Sequence, residues 1–217
     1  MANLGSDLPE LPDGFEVVWV DFPPNPNLHL PRGYVLDKGR RILSGILKTK
    51  VKGYMMFVDD DDLVSSHLTS FLISHPNNNG WYFPKGYEWT ESSKVFYLAR
   101  DFHLKCGTSH IINSELLNLP KDLESASESY LKRFLGEHIN YRKDLKAAGT
   151  PLEPLPFIGA VYRIGHAESS WGTSTVFNKY FWKRENLLNP ILLAYRMTRI
   201  RLRSRRINRD FFGGIDG

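Results

Sequence analysis

The distribution of apolar and polar residues over the first 60 positions predicts a strand, a helix and a second strand. Residues 15–20, "FEVVWV", are rich in β-branched and aromatic side chains, which favour a strand. Apolar residues then recur at helical spacing, at Ile42, Leu43, Ile46 and Leu47. We expect an amphipathic helix there, ending near Gly53. The apolar run at residues 54–58 is typical of a parallel strand buried on both faces, so the three elements predict a right-handed crossover unit.

The pattern continues to mix helices and strands in the rest of the chain. A helical spacing covers residues 63–75 and is closed by Pro76. Further strands are predicted at residues 81–89, 94–99 and 154–165, and further helices at residues 113–120 and 125–139. We therefore predict an α/β fold in which helices flank a mixed sheet of the Rossmann type.

Composition places the chain among ordinary globular proteins. It has 217 residues, 41% hydrophobic and 24% charged, which is enough for one sizeable domain and argues against disorder. Its single cysteine excludes an internal disulfide and a cysteine-based zinc site, and fits a reducing, cytoplasmic compartment. Residues 1–14 carry no secretory signal pattern, and no apolar run reaches the roughly 18 residues of a transmembrane helix.

Charge is concentrated near the C-terminus. The net charge is +4, and residues 195–210, "YRMTRIRLRSRRINRD", contain seven arginines and one acid. Apolar residues are interleaved with them, which predicts a basic amphipathic helix within residues 183–217. Such a helix could lie on an anionic membrane at the inner face; the alternative is a solvated helix that packs its few apolar residues on the domain. We consider a nucleic-acid partner the weaker expectation.

Four consecutive aspartates, residues 59–62, follow the apolar run at 54–58. Unit charges this close repel one another by about 1 kcal/mol in water and by more near a protein surface, so the cluster favours a cation. If the strand continued, Asp59 and Asp61 would share one face. Paired carboxylates suit Mg²⁺ or Mn²⁺, which often share their ligands with substrate phosphates. The alternative is an acidic turn at a helix start, which explains Asp62 but not all four residues.

Four segments, in order, resemble a bacterial group of family-2-like glycosyltransferases with the GT-A (nucleotide-diphospho-sugar transferase) fold. They are "YMMFVDDDDLVSSHL", "NNNGWYFPKGYEW", "RDFHLKCGTSHIINSELL" and "PLEPLPFIGAVYRIG", and "DKGRRIL" resembles a stretch that precedes the acidic motif in those enzymes. The similarity spans roughly residues 15–172. It implies a GT-A-like catalytic domain at residues 15–182, after a flexible segment 1–14, in which the usual first β-α unit is absent.

The resemblance also implies roles for individual residues. Asp61 is the expected ligand of Mn²⁺ or Mg²⁺, while Asp59 faces the nucleotide or also binds the metal. Lys38 is placed near the phosphates, where a solvated lysine is the alternative. Glu128, and after it Glu124, is the expected general base that deprotonates the acceptor hydroxyl in an inverting transfer.

Two further sets of residues are site candidates by their chemistry. His166 could add a metal ligand, since histidine binds Mn²⁺ as well as Zn²⁺, although a lone histidine is more often structural. Aromatic faces suit sugar rings, and equally a sheet core. The aromatic candidates are Trp81, Tyr82 and Trp89.

The predicted function is transfer of a sugar from a nucleoside-diphosphate sugar to a hydroxyl of a glycan or lipid-linked acceptor, as in surface polysaccharide synthesis. A phosphatase or phosphotransferase of the haloacid dehalogenase type is an alternative, since that class also places Asp-x-Asp after an apolar strand and uses the first Asp as nucleophile. A third possibility is a non-catalytic binding module derived from a shortened transferase.

Overall fold

The computed structural model describes residues 2–3, 8, 10–23, 33–91, 93–165, 175–182 and 188–214. The chain forms two compact units: the first comprises Met1–Met55 and Asn113–Pro151, the second Met56–Ile112 and Leu152–Gly217. The predicted domain at 15–182 therefore includes parts of both units. With two mixed sheets and several helices, the protein belongs to the α/β class that the sequence predicts.

The first unit is built on α1 (Gly33–Thr49), the amphipathic helix expected from the apolar spacing. Its buried face includes Leu43 and Ile46. Helix α1 packs closely against a π-helical segment, Tyr130–Gly136, because glycine stands at the crossing points: a Cβ on Gly39 would lie 2.1 Å from the carbonyl oxygen of Leu131. Its other described helical elements are short: two 3-10 turns, Ser114–Leu117 and His138–Asn140, and the helix Tyr141–Ala147.

The predicted crossover at the start of this unit is wrong. Strand β1 (Ala2–Asn3) pairs in parallel with β2 (Trp19–Val20), so the predicted strand at 15–20 is confirmed only at its last two residues. These two form a separate two-stranded sheet, which β3 (Tyr54–Met56) does not join. Strand β3 exists as predicted, but its residues are half-buried, and Val58 is 49% exposed. The expected burial on both faces is therefore also wrong.

The second unit contains a five-stranded mixed sheet. It comprises β4 (Leu63–Val64), β6 (Lys85–Trp89), β7 (Val95–Arg100), β10 (Ala160–Arg163) and β11 (Ile200–Leu202), in the order β11-β7-β6-β10-β4. Strands β6 and β10 run parallel, and the other neighbours run antiparallel. A second group pairs β5 (Gly80–Tyr82) with β8 (His110–Asn113) and with β9 (Glu153–Pro154).

Separate hydrophobic clusters cover the two faces of the five-stranded sheet. Phe96 and Tyr97 are neighbours in β7 and point to opposite faces. Phe96 packs with Ile207 and Phe211 of a C-terminal helix, Arg205–Phe211. Tyr97 packs on the other face with Tyr180 of the helix Val176–Tyr180, a cluster that Leu193 of the helix Pro190–Met197 also joins. The sheet is thus enclosed between helices.

The single basic C-terminal helix predicted for the arginine-rich segment is wrong. That segment forms a helix (Pro190–Met197), then β11, then a second helix (Arg205–Phe211). Strand β11 pairs with β7, and the two helices pack on opposite faces of the sheet. Arg199 is buried and donates to the carbonyl oxygen of Leu98, so the arginines do not form one amphipathic surface. Contact with an anionic membrane stays a prediction.

The helix expected at residues 63–75 is shorter than predicted. Residues 63 and 64 form β4, which pairs with β10, and the helix occupies only Leu68–Ile73.

Among the described helices, none is long and apolar enough to cross a membrane.

Candidate functional site

The four aspartates form a tight turn in the second unit, which we call the acidic turn (residues 59–62). The backbone N–H of Asp62 donates to the carbonyl oxygen of Asp59 at 3.1 Å, and β4 begins at the next residue. Asp59 and Asp61 therefore do not occupy alternate positions of a strand, so the prediction that a strand places them on one face is wrong. A turn exposes its middle residues, and Asp60 is the exposed member of the set.

Asp62 differs from its neighbours because it is buried, with 9% of its surface exposed. The thiol of Cys106 donates to its Oδ2 at 3.2 Å, and the backbone N–H of Arg163 donates to its Oδ1 at 3.2 Å. The next helix begins only at Leu68, so the alternative that Asp62 marks a helix start is wrong. Asp62 instead attaches the acidic turn to β10 and to the segment before β8.

Thr108 holds both ends of the acidic turn through one hydroxyl group. Its Oγ1 accepts the backbone N–H of Asp59 at 3.0 Å, and the same side chain hydrogen-bonds to the carboxyl group of Asp62. Thr108 is fully buried, so both bonds are shielded from water. The "CGT" segment was expected to follow the acidic motif, but its contact with that motif was not predicted.

The same environment makes Cys106 a poor nucleophile. The side chain is 1% exposed, as expected for a small buried residue. Burial raises the pKa of its thiol well above the ordinary value, and the charge of Asp62 raises it further. Since the thiolate is the reactive form, Cys106 acts here as a hydrogen-bond donor to Asp62.

The acidic turn brings several carboxyl groups close together. Burial raises the pKa of Asp62 to about 6, and the charges of Asp59 and Asp61 raise it as well, against hydrogen bonds from Thr108 and Cys106 that lower it. Three carboxylates are thus close enough to repel one another, and two of them, Asp59 and Asp61, are half-buried and reach the surface. This arrangement favours a bound cation.

Carboxylates of the acidic turn could serve as ligands of a divalent cation. Among the described residues, no group of three or more His, Cys, Asp and Glu side chains could hold a metal ion. Mg²⁺ in nucleotide enzymes, however, is commonly bound by only one or two carboxylates, with substrate phosphates and water as its other ligands. Asp59 and Asp61 can supply two such carboxylates from one turn. His166, the predicted third ligand, lies outside the described residues.

The aromatic candidates divide by burial. Trp81 is 1% exposed and Trp89 8%, so a sugar ring cannot reach their faces in this structure. Trp81 packs edge-on against Phe71, and Trp89 stacks on Phe96 in the sheet core. Tyr82 is half-buried and keeps part of its surface available to a ligand.

The remaining candidates lie in the first unit. Lys38 is a half-buried residue of α1. Glu124 is exposed in a turn, and Glu128 is exposed and forms an ion pair with Lys132, one helical turn further on. The role of either residue as a general base stays a prediction.

A buried carboxylate in the second unit, Glu88, was not among the predicted site residues. It lies in β6, is fully buried, and contacts Lys105, Lys179 and Tyr180. Its charge inside an otherwise apolar strand pattern, "GYEW", was the available sequence signal.

Comparison of the chain with protein-family models, with curated proteins and with solved structures finds no match.

Proposed function

We propose that the protein is a glycosyltransferase that depends on a divalent cation and moves a sugar from a nucleoside-diphosphate sugar to an acceptor hydroxyl. The observation that carries the proposal is the acidic turn, in which Asp59 and Asp61 stand half-buried beside the buried carboxyl group of Asp62. The resemblance of the surrounding segments to GT-A glycosyltransferases supports it. The order of those segments, and not the acidic motif alone, makes the resemblance specific.

The residues of the acidic turn have separable roles in this proposal. Asp61 and Asp59 would hold Mn²⁺ or Mg²⁺, which as a Lewis acid stabilises the charge of a departing nucleoside diphosphate. Thr108 and Asp62 keep the turn in place through buried hydrogen bonds, and do not need to contact the substrate. The role of Glu128 or Glu124 as general base stays what the resemblance implies, since both residues belong to the first unit.

Hydrolysis of nucleotide sugars tests this function without knowledge of the acceptor. A panel of UDP- and GDP-sugars is incubated with the protein in Mn²⁺ and, separately, in EDTA. We expect slow hydrolysis of one donor in Mn²⁺ only, and a loss of about 100-fold in Asp61→Asn, since metal assistance is worth several kcal/mol. Asp60→Asn is the matched control, because Asp60 belongs to the same turn but is exposed.

An aryl phosphate in the same assay separates the proposal from the haloacid dehalogenase alternative. Hydrolysis of the aryl phosphate that is abolished by Asp59→Asn would indicate an aspartyl nucleophile and contradict the transferase proposal. Hydrolysis of no donor in any metal would favour the non-catalytic binding module.

A further inference from the structure

A second group of charged side chains surrounds Glu88 on the five-stranded sheet; we call Glu88, Lys105, Lys179 and Tyr180 the Glu88 cluster. The Nζ of Lys179 lies 2.7 Å from Oε2 of Glu88, and the hydroxyl of Tyr180 donates to Oε1 at 2.8 Å. The Nζ of Lys105 lies 3.7 Å from Oε1 and donates to the hydroxyl oxygen of Tyr180 at 3.3 Å. All four residues belong to the second unit.

The Glu88 cluster contains more positive charge than its carboxylate needs. A buried carboxylate is neutralised by one well-placed cation, and Lys179 already fills that role. Lys105 is therefore an additional cation, and Arg196 adds another, since its guanidinium lies 5.6 Å from the centre of the Tyr180 ring. The exposed Asp101 attracts Lys105 only weakly compared with Glu88. Among the residues that the structure describes, positive charge around Glu88 therefore exceeds negative charge.

The excess charge is placed where a ligand can reach it. Glu88 has no exposed surface, whereas the side chains of Lys105 and Lys179 are 34% and 35% exposed. An ammonium group has three N–H donors, and the contacts described above use no more than two of each. The remaining donors of both lysines are available on the solvent side of the buried carboxylate. Burial lowers the pKa of Lys105, while the charge of Glu88 raises it and repulsion from Lys179 lowers it.

The Glu88 cluster lies next to the acidic turn on the same sheet. Glu88 pairs with Tyr162 across β6 and β10, so the two residues are about 5 Å apart and point to one face. The next residue of β10, Arg163, donates its backbone N–H to Oδ1 of Asp62 at 3.2 Å, which attaches the acidic turn at the adjacent position of the same strand. The acidic turn, for which we propose a bound cation, and the lysines of the Glu88 cluster are therefore neighbours on this sheet.

We infer that Lys105 and Lys179 form a binding site for a phosphate group. Two half-exposed ammonium groups, held by a fully buried carboxylate and a tyrosine hydroxyl, present several N–H donors from fixed positions, which suits a tetrahedral dianion. Purely structural neutralisation of Glu88 would need one lysine and not two. The site is argued without the proposed transferase function. The phosphate could belong to a nucleotide or to a phosphorylated sugar, and the experiment separates these two sources.

Binding of inorganic pyrophosphate, measured by calorimetry and by thermal unfolding in EDTA, tests the site. EDTA removes any contribution of a metal at the acidic turn, so failure of this test and failure of the proposed function are distinguishable. We expect pyrophosphate to raise the melting temperature relative to chloride at equal ionic strength. We expect Lys105→Gln to weaken binding about tenfold or more, since hydrogen bonds to charged groups are the strong ones.

Lys105→Gln is the informative variant because it keeps the pair between Glu88 and Lys179. Without pyrophosphate it should unfold at a temperature close to that of the parent, because Lys179 and Tyr180 still satisfy the carboxylate of Glu88. Lys85→Gln is the matched control: Lys85 is exposed at the start of the same strand, and its substitution should leave binding unchanged.

Two competition arms identify the source of the phosphate. UDP that displaces pyrophosphate in EDTA indicates a nucleotide diphosphate, whereas displacement by glucose 1-phosphate and not by UDP indicates a phosphorylated sugar. The proposal is overturned if pyrophosphate has no effect on the unmodified protein beyond that of chloride, a result that requires no variant to fold. It is also overturned if Lys105→Gln and Lys85→Gln bind pyrophosphate equally well.

Discussion

Two buried carboxylates of the second unit, Asp62 and Glu88, are stabilised in opposite ways. Asp62 is held by a thiol, a hydroxyl and a backbone N–H, all neutral donors, and has two further aspartates beside it. Glu88 is held by two lysines and a tyrosine hydroxyl. The buried carboxylate of Asp62 is thus stabilised by uncharged donors, and that of Glu88 by cations. Two carboxylates buried in the same unit therefore create different local electrostatics, which is why we propose a cation beside the first and an anion beside the second.

The largest effect should come from removing the charge of Glu88. Glu88→Gln leaves Lys105 and Lys179 half-buried without a counter-charge, so we expect the free energy of unfolding in urea to fall by about 3–5 kcal/mol. Glu91→Gln is the matched control, because Glu91 is exposed and pairs with Arg163 near the surface, where an ion pair contributes about 1 kcal/mol or less. Equal losses in the two variants would contradict the difference between the sites.

The second prediction concerns the pH dependence that Asp62 imparts to stability. Its pKa is about 6 in the folded protein, against 3.8 in the unfolded chain. The folded state therefore binds the proton more tightly, so the stabilisation by protonated Asp62 is complete below about pH 4 and is lost as the pH rises through 6. A difference of about 2 pKa units corresponds to about 3 kcal/mol.

Urea unfolding in EDTA at pH 4.5 and pH 7 measures this contribution. Compared with the parent protein, Asp62→Asn should lose the part of the pH dependence that belongs to Asp62, because asparagine does not titrate. Asp60→Asn should keep it, since Asp60 is exposed. If both variants retain the slope of the parent, Asp62 does not carry a raised pKa.

The sequence predicted the locally determined parts of both units, and missed the parts that depend on distant partners. Helix α1 was predicted because Leu43 and Ile46 follow a helical period within one segment. In contrast, Cys106 and Arg163, which donate to Asp62, are 44 and 101 residues away from it in the chain, and Lys179 and Tyr180 are 91 and 92 residues away from Glu88. No local pattern shows which buried carboxylate will meet a cation and which a thiol.

The arginine-rich segment shows how a local signal can be outweighed by another. Its density of arginines favoured a basic helix, yet Ile200, Arg201, Leu202 and Arg203 alternate with the period of a strand. The strand forms because β7 offers a partner in register, Ile200 opposite Tyr97.

Of the candidate site, the acidic cluster was predicted, but its turn geometry and its attachment through Thr108 were not.

The smallest predicted effect concerns that attachment. Thr108→Val keeps the shape of the side chain and removes the hydroxyl that serves Asp59 and Asp62, so we expect a loss of about 1–3 kcal/mol in the free energy of unfolding. Thr69→Val, at an exposed position of the helix Leu68–Ile73, is the control and should change stability very little. An unchanged stability of Thr108→Val would show that this hydroxyl does not hold the turn.

The central claim, that the acidic turn binds a cation together with a nucleotide, is tested most directly by calorimetric titration of UDP and GDP in Mn²⁺. We expect one nucleotide to bind the parent protein in Mn²⁺ more tightly than in EDTA. Asp61→Asn should abolish that gain, while Asp60→Asn, in the same turn, should keep it. Absence of any gain from Mn²⁺ in the parent protein, or an equal gain in both variants, would contradict the account.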